Sequence, residues 1–305
     1  MAAEPVELGR KGVFYFPGRV NSGLISPNGK QGVLIDSGID EDSGRRLLSG
    51  CQAKGIGISA ILNTHGHSDH FSGNAIIVER TGAKVFAPET DSAIIRNPSL
   101  EPYFLWGMAA PPKEARNKFL QGTPCKVDEL VSEGKFSAAG FELEAISLPG
   151  HSAGQTGYLF SKILFAGDAF FSGESLFKHK ILFCSDVSSA LASIGKLEAL
   201  VKEGRVETIV PGHGEPASGN ALAKTLGDNR ASLEAASEAI LSLFGGEPKT
   251  DQELLKEYSD REGTVLNFTQ YVLHLTTFRA QLTHLQATGR ASCKMSENRL
   301  VWEKS

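Results

Sequence analysis

Short apolar runs separated by Gly, Pro and Asn dominate the first part of the chain, and they predict strands. GVFYF, SGLIS and GVLIDSG are the first three. EDSGRRLLSGCQAKG has helical spacing and stops at glycine. SAILNT is an apolar strand that runs into HGHSDH. FSGNAIIVERTG reads as a helix closed by Gly82, with Arg80 near its C-terminal end, and AKVFA returns to strand. This alternation predicts an α/β fold.

Residues 88–132 break the rhythm. EPYFLWGMAAPPKEARNKFL is aromatic and proline-interrupted, and predicts short helices outside the main sheet. The strand pattern resumes in GKFSAAGFELEAISLPG, TGYLF and KILFAGDAFF. A helix over SSALASIGKLEALVKEG then precedes the strand ETIVPGHGEP. Beyond about residue 220 long amphipathic helices take over, ending in a possible hairpin around ASCKMSENRLVWEK. The chain therefore divides into a main domain, 1–219, and a helical appendage, 220–305.

Composition narrows the class. In 305 residues, 41% are hydrophobic and 22% charged, an ordinary globular balance with ample length for a core. A net charge of -4 gives no reason to expect a polyanionic partner. No apolar run approaches a membrane span, and the first residues lack the apolar stretch of a signal peptide. Cys51, Cys125, Cys184 and Cys293 form no C-x-x-C pair, so neither a disulfide framework nor a thiolate zinc site is expected. A reduced, cytoplasmic setting is the expectation.

The chemistry concentrates in NTHGHSDH, residues 63–70, which holds three of the eight histidines and an aspartate. Burying such a run requires partners for each imidazole and for the carboxylate, and a metal supplies them. His65 and His67, two apart on an extended segment, point to one side, and Asp69 and His70 follow at the next turn. Three later polar residues end apolar strands beside glycines: His151 in ISLPGHS, Asp168 in ILFAGDAFF and His213 in TIVPGHGEP. Five imidazoles exceed what one zinc accepts while keeping a position open for water. Two divalent metals fit, with Asp168 able to bridge them. Zinc is the expected metal, and iron or manganese suits the same donors.

The H-x-H-x-D-H spacing, followed in order by His151, Asp168 and His213, resembles the metallo-β-lactamase superfamily over residues 10–219. The resemblance implies an αββα sandwich. It implies that His65, His67 and His151 hold a first metal, that Asp69, His70 and His213 hold a second, and that Asp168 lies between them. The aspartate of LIDSG, Asp36, corresponds to a structural acid behind the metal loop. Among members of the family the ligand set is most similar to glyoxalase II-type thioester hydrolases and lactonases. The β-lactamases usually lack the bridging aspartate, and flavodiiron proteins carry glutamate where this chain has His67.

The function expected is hydrolysis of an ester, thioester or lactone in a small-molecule substrate by a hydroxide held between two metals, with Asp69 and Asp168 as the catalytic carboxylates. Tyr103, Phe104 and Trp106 are candidates for a pocket wall over the metals, and Lys178 with His179 for an anion contact. His274 and His284 fall in a helical apolar pattern and are expected to be structural. The tail resembles a winged-helix extension, which makes a ribonuclease or phosphodiesterase the enzymatic alternative. Residues 220–305 hold ten Lys and Arg against eleven Asp and Glu, a balance without the basic footprint of a nucleic-acid surface. Packing, pocket formation or homodimerisation is the expected role of the tail. A non-enzymatic metal-binding regulator is the remaining reading, and the full ligand set weighs against it.

Overall fold

Continuous apolar runs form the central strands because both faces of those strands are covered. In the computed structural model, which describes residues 4–178 and 181–305, thirteen strands form two facing sheets among the described residues, with helices outside. The first sheet runs in chain order: β1 (Val6–Glu7), β2 (Val13–Phe16), β3 (Ser22–Ile25), β4 (Gln31–Ile35), β5 (Gly57–Leu62), β6 (Lys84–Pro88) and β7 (Glu129–Val131). The second holds β8 (Gly134–Ala138), β9 (Phe141–Ser147), β10 (Thr156–Phe160), β11 (Ile163–Phe171), β12 (Thr208–His213) and β13 (Ala217–Ser218). On the first sheet pack α1 (Glu41–Ala53) and α3 (Asn74–Thr81), with the short α2 (Ser68–Phe71) between them in sequence. The helices α4 (Glu89–Arg96) and α5 (Leu100–Leu105) and a 3-10 turn at Lys113–Ala115 fill the aromatic segment. After β11 come α6 (Gly173–Lys178) and α7 (Val187–Lys202). The tail is α8 (Gly219–Leu241), α9 (Asp251–Arg261), α10 (Phe268–Ala287) and the hairpin β14 (Ala291–Ser296) with β15 (Arg299–Lys304).

Alternation along each strand sorts its side chains between layers. Phe14, Leu34 and Ile61 face α1 and α3, while Val13, Val33, Ile35 and Leu62 face the second sheet. There they meet Tyr158, Phe165 and Val210. On the far side of the second sheet Leu164, Phe170 and Ile209 pack on Leu197 of α7 and Leu222 of α8. The αββα sandwich expected from the sequence is the architecture observed.

Local signals explain the ends of the helices. Asp40 caps α1 by accepting from the Ser43 N–H at 3.0 Å, and Gly82 closes α3 in a left-handed conformation, φ 70°. Thr250 and Asn267 form capping boxes that start α9 and α10. The tail has its own apolar cluster around Leu254, Tyr258, Phe278, Leu282 and Trp302, while α8 shares the cluster behind the second sheet. Among the described residues no helix is long and apolar enough to cross a membrane.

Two details differ from the sequence reading. β7 pairs with β6 inside residues 88–132, where no strand was expected, since three residues at a sheet edge are too few to display a period. Cys51, Cys125 and Cys184 are buried as expected of small hydrophobes, but Cys293 sits half-buried in the terminal hairpin, where its sulfur accepts from Gln286 Nε2 at 3.3 Å.

Candidate metal centre

The register of the parallel strands brings the chemistry to one rim. Ile35 of β4 pairs with Leu62 of β5, so Asp36 and Thr64 leave the sheet side by side. β11 and β12 are likewise parallel; His213 ends β12, whereas Asp168, expected at a strand end, lies inside β11, which continues to Phe171. His151 stands in the turn between β9 and β10, and α2 carries Asp69 and His70. β11 kinks at Gly167, φ 53°, where the register to β12 shifts before Asp168. Gly212 leaves no room for a side chain at this crossing unless a neighbour shifts. A Cβ there would lie 2.0 Å from Asp168 Oδ1 and 2.7 Å from His70 Cε1.

All seven residues singled out in the sequence converge here. Three trios have donor atoms within 4.8 Å of one another: His65, His67 and His151; His65, His70 and Asp168; and Asp69, His70 and His213. Asp168 spans them. Its Oδ1 lies 3.4 Å from His70 Nε2, and its Oδ2 lies 3.4 Å from His151 Nε2 and 3.3 Å from His213 Nε2. His67 Nδ1 is 2.8 Å from His151 Nε2, and Asp69 Oδ2 is 3.5 Å from His213 Nε2.

The outward nitrogens are each assigned a partner, and that decides which nitrogen faces the centre. The Thr64 hydroxyl donates to Asp36 at 2.8 Å, so at 3.0 Å it accepts from His65 Nδ1–H. His70 Nδ1–H donates to Asp36 Oδ2 at 2.8 Å, and His151 Nδ1–H to the Phe183 carbonyl at 3.1 Å. His213 Nδ1–H donates to the Arg19 carbonyl. Each leaves Nε2 turned inward. His67 is reversed: its Nε2 lies 3.6 Å from Glu101 and its Nδ1 faces in. Second-layer acceptors of this kind fix ring tautomer and orientation at metal sites.

The electrostatics match a site that holds cations. Burial, with the neighbouring imidazoles, holds His65 well below its usual value, and burial brings His151 down to about 3. Burial also opposes charge on His70 and His213, but the surrounding carboxylates outweigh it, Asp168 foremost. His70 is raised and His213 moves up to about 10. Burial of Asp69 and Asp168 is outweighed in turn by the imidazoles, which hold Asp69 down to about 2 and Asp168 well below the carboxylate range. His65 Nε2, His70 Nε2 and Asp168 Oδ1 are buried without a hydrogen-bond partner. Orphaned buried atoms of these types, converging from rigid strand ends, suit divalent metal ions.

The sequence reading missed two buried acids. Asp91 of α4 is 1% exposed and accepts the Gly66 N–H at 2.7 Å, and Glu101 of α5 is 8% exposed beside His67. Burial raises Glu101, with His67 partly offsetting it. Both acids occupy first turns of short helices, where a carboxylate ordinarily reads as a solvated partner of the helix dipole. The expected aromatic wall is differently used. Trp106 packs on Phe268 of α10, ring centroids 5.6 Å apart, and Phe104 is exposed. Phe183 stands against the clustered imidazoles instead, its ring centroid 5.3 Å from those of both His67 and His151. His284 bonds Ser188 at 2.8 Å and His274 lies in α10, both remote in sequence from the cluster. The Lys178 side chain and the whole of His179 fall outside the described part of the chain.

Comparisons with known proteins agree with this geometry. A probable metallo-hydrolase of Methanocaldococcus jannaschii is 30% identical over 199 residues, 64% of this chain and 87% of that one. A hydroxyacylglutathione hydrolase of Erythrobacter litoralis is 33% identical over 137 residues, 44% of this chain, and the match spans only 43% of that enzyme. In fold, the chain is similar over 99% of its length to a metallo-beta-lactamase family protein of Thermus thermophilus, covering 98% of that chain with a TM-score of 0.70 at 21% identity. The model of the metallo-beta-lactamase superfamily matches residues 15–213, the stretch that contains every donor described above. With its sandwich, its rim of converging histidines and aspartates and this match over most of its length, the chain belongs to the metallo-beta-lactamase superfamily.

Proposed function

We propose that the protein is a dinuclear metal-dependent hydrolase cleaving an ester, thioester or lactone. The observation that carries this reading is the position of Asp168, whose carboxylate approaches His151, His70 and His213 at 3.3 to 3.4 Å. A carboxylate so placed suits two cations shared by one bridge. His65, His67 and His151 would hold the first, and Asp69, His70 and His213 the second. The nitrogen-rich donors suit zinc, with iron or manganese compatible. When bound, such ions activate water near neutral pH and polarise the oxygen under attack.

The chain's own residues do the rest. Asp36 and the Thr64 hydroxyl keep His70 and His65 in the tautomers that turn Nε2 inward. Asp69 lies close to His213 and stays ionised, which suits an orienting ligand better than a proton acceptor. Phe171, Leu182 and Phe183 line, with His151 and Asp168, a small cavity of about 30 Å³, and the Phe183 ring gives the centre an apolar edge.

The tail, 220–305, is read as a buttress of this pocket. Asn229 of α8 accepts from the Phe171 N–H at 3.0 Å and donates to the Phe171 carbonyl at 2.8 Å. Thr277 of α10 accepts from the Cys184 N–H at 3.3 Å, next to the Phe183 carbonyl that holds His151. Its near-neutral charge balance, ten basic against eleven acidic residues, supports packing over nucleic-acid binding.

The test is metal content per chain followed by turnover of an aryl ester, a lactone, a thioester, a phosphodiester and a short RNA. Two metals with carbonyl-ester turnover, both lost in His67→Ala and Asp168→Ala while the fold persists, is the expected result. Cleavage of RNA or phosphodiester alone would replace this reading with the nuclease, and full activity in either variant would sink the two-metal mechanism.

A further inference from the structure

Arg19 lies in the loop between β2 and β3, and its main-chain oxygen already receives His213. Arg19 and Arg46 of α1 both line a cavity of about 270 Å³ whose other walls include Phe16, Val20, Ile39 and Leu47. The opposite wall is continuous with the turn of α2. Ser37 N–H donates to the His70 carbonyl at 2.7 Å, and Gly73 N–H donates to the Gly38 carbonyl at 3.3 Å. The cavity therefore adjoins the side of the centre formed by Asp69, His70 and His213.

Among the described residues neither guanidinium is paired with a carboxylate. Arg46 reaches only the Ser43 hydroxyl, at 3.2 Å, whereas its neighbour Arg45 is held by Glu41 at 2.6 Å and Asp42 at 2.9 Å. Asp40, at the start of the same helix as Arg46, is engaged elsewhere: it caps Ser43 and pairs with Lys118 at 3.2 Å. Arg19 and Arg46 are both exposed, and two guanidinium groups on one partly apolar concavity, neither neutralised by a carboxylate, make it electropositive. A planar or tetrahedral oxyanion suits such a concavity, since the guanidinium fork binds carboxylate and phosphate in pairs of hydrogen bonds.

We propose that this cavity is a subsite for an anionic group, carboxylate or phosphate, carried by the substrate whose carbonyl is cleaved at the adjacent centre; the proposal rests on the hydrolase reading above. The substrate class is then an acidic ester, thioester or lactone, with its charge carried on the acyl part and directed to the His213 side.

The experiment compares two esters with the same leaving group, phenyl acetate and the monophenyl ester of succinic acid, on the metal-loaded full chain. Arg46→Gln and Arg19→Gln are each expected to lower the ratio of kcat/KM for the charged ester over the neutral one by about tenfold, the scale of a lost charge-assisted hydrogen bond. The wild-type preference should weaken as salt rises. An unchanged ratio in Arg46→Gln, with metal content and fold retained, would overturn the subsite. If the wild type cleaves neither ester, the esterase form of the hydrolase reading fails separately, and calorimetric titration with succinate and with inorganic phosphate decides the subsite. Binding weakened about tenfold in Arg46→Gln sustains it, on the same electrostatic grounds, and equal binding or none in both proteins overturns it. The tighter of the two anions identifies the group preferred.

Discussion

His70 Nδ1 lies 2.8 Å from Asp36 Oδ2, and neither side chain is more than 3% exposed. The same carboxylate accepts the Thr64 N–H and hydroxyl, each at 2.8 Å, so one buried acid organises both ends of the metal loop. Asp36 does this from a left-handed backbone, φ 56°, a conformation that aspartate and asparagine tolerate better than most residues. Asp36→Asn keeps that backbone but must turn an amide donor toward another donor. We expect a stability loss of about 1–3 kcal/mol in denaturant melts, from the buried donor left unmet. We also expect metal affinity, measured by competition with a chelator, to fall roughly 10–100-fold, as for other lost ligand-orienting partners.

Glu101 is the acid at the reversed histidine, 3.6 Å from His67 Nε2. Glu101→Gln preserves its volume and removes the charge that draws that nitrogen outward. Retained metal after dialysis against a chelator should drop by about tenfold or more while the melting curve changes little. Metal retention equal to wild type would reduce Glu101 to a packing residue.

Gly212→Ala tests how tightly the rim is assembled. The added methyl would meet Asp168 Oδ1 at 2.0 Å and His70 Cε1 at 2.7 Å, and both belong to rigid strand or helix ends. Displacing a reacting group by about 1 Å costs on the order of 100-fold in rate, whereas overpacking one methyl costs about 1–3 kcal/mol in stability. Steady-state kcat and a melt on the same sample separate the two. A variant with wild-type kcat would show that the centre gives way cheaply.

Acid should expose the contribution of Asp40. The Asp40 carboxylate is lowered from its usual 3.8, because its bonds from Ser43 and the ion pair with Lys118 outweigh a desolvation that acts the other way. A depressed carboxylate stabilises the fold above the unfolded value, and that contribution is lost as pH falls through the folded one. Asp40→Ala should therefore cost about 1 kcal/mol at pH 7, the usual worth of an N-cap. The gap between variant and wild type in denaturant melts should close once pH falls well below 3.8. A gap that persists undiminished in acid would assign the cost to packing.

The sandwich was legible because it is written in local pattern. Apolar runs such as GVFYF and SAILNT can be stable only where two layers cover them, and glycines such as Gly82 stop helices by backbone geometry alone. The residues that converge were legible for a similar reason: His65, His67, Asp69 and His70 are crowded in one turn, and His151, Asp168 and His213 each follow an apolar run beside glycine. What holds those side chains in place was not. Glu101 and Asp91 look like solvated helix-start acids until tertiary packing buries them, and the Phe183 and Arg19 carbonyls are main-chain groups that no residue type announces. Nor did spacing reveal that Trp106 leans on Phe268, or that Arg19 and Arg46 line one cavity. Sequence fixes periodicity and chemical identity within a few residues, whereas the distance between side chains remote along the chain, and with it tautomer, burial and charge balance, is set only when the layers close.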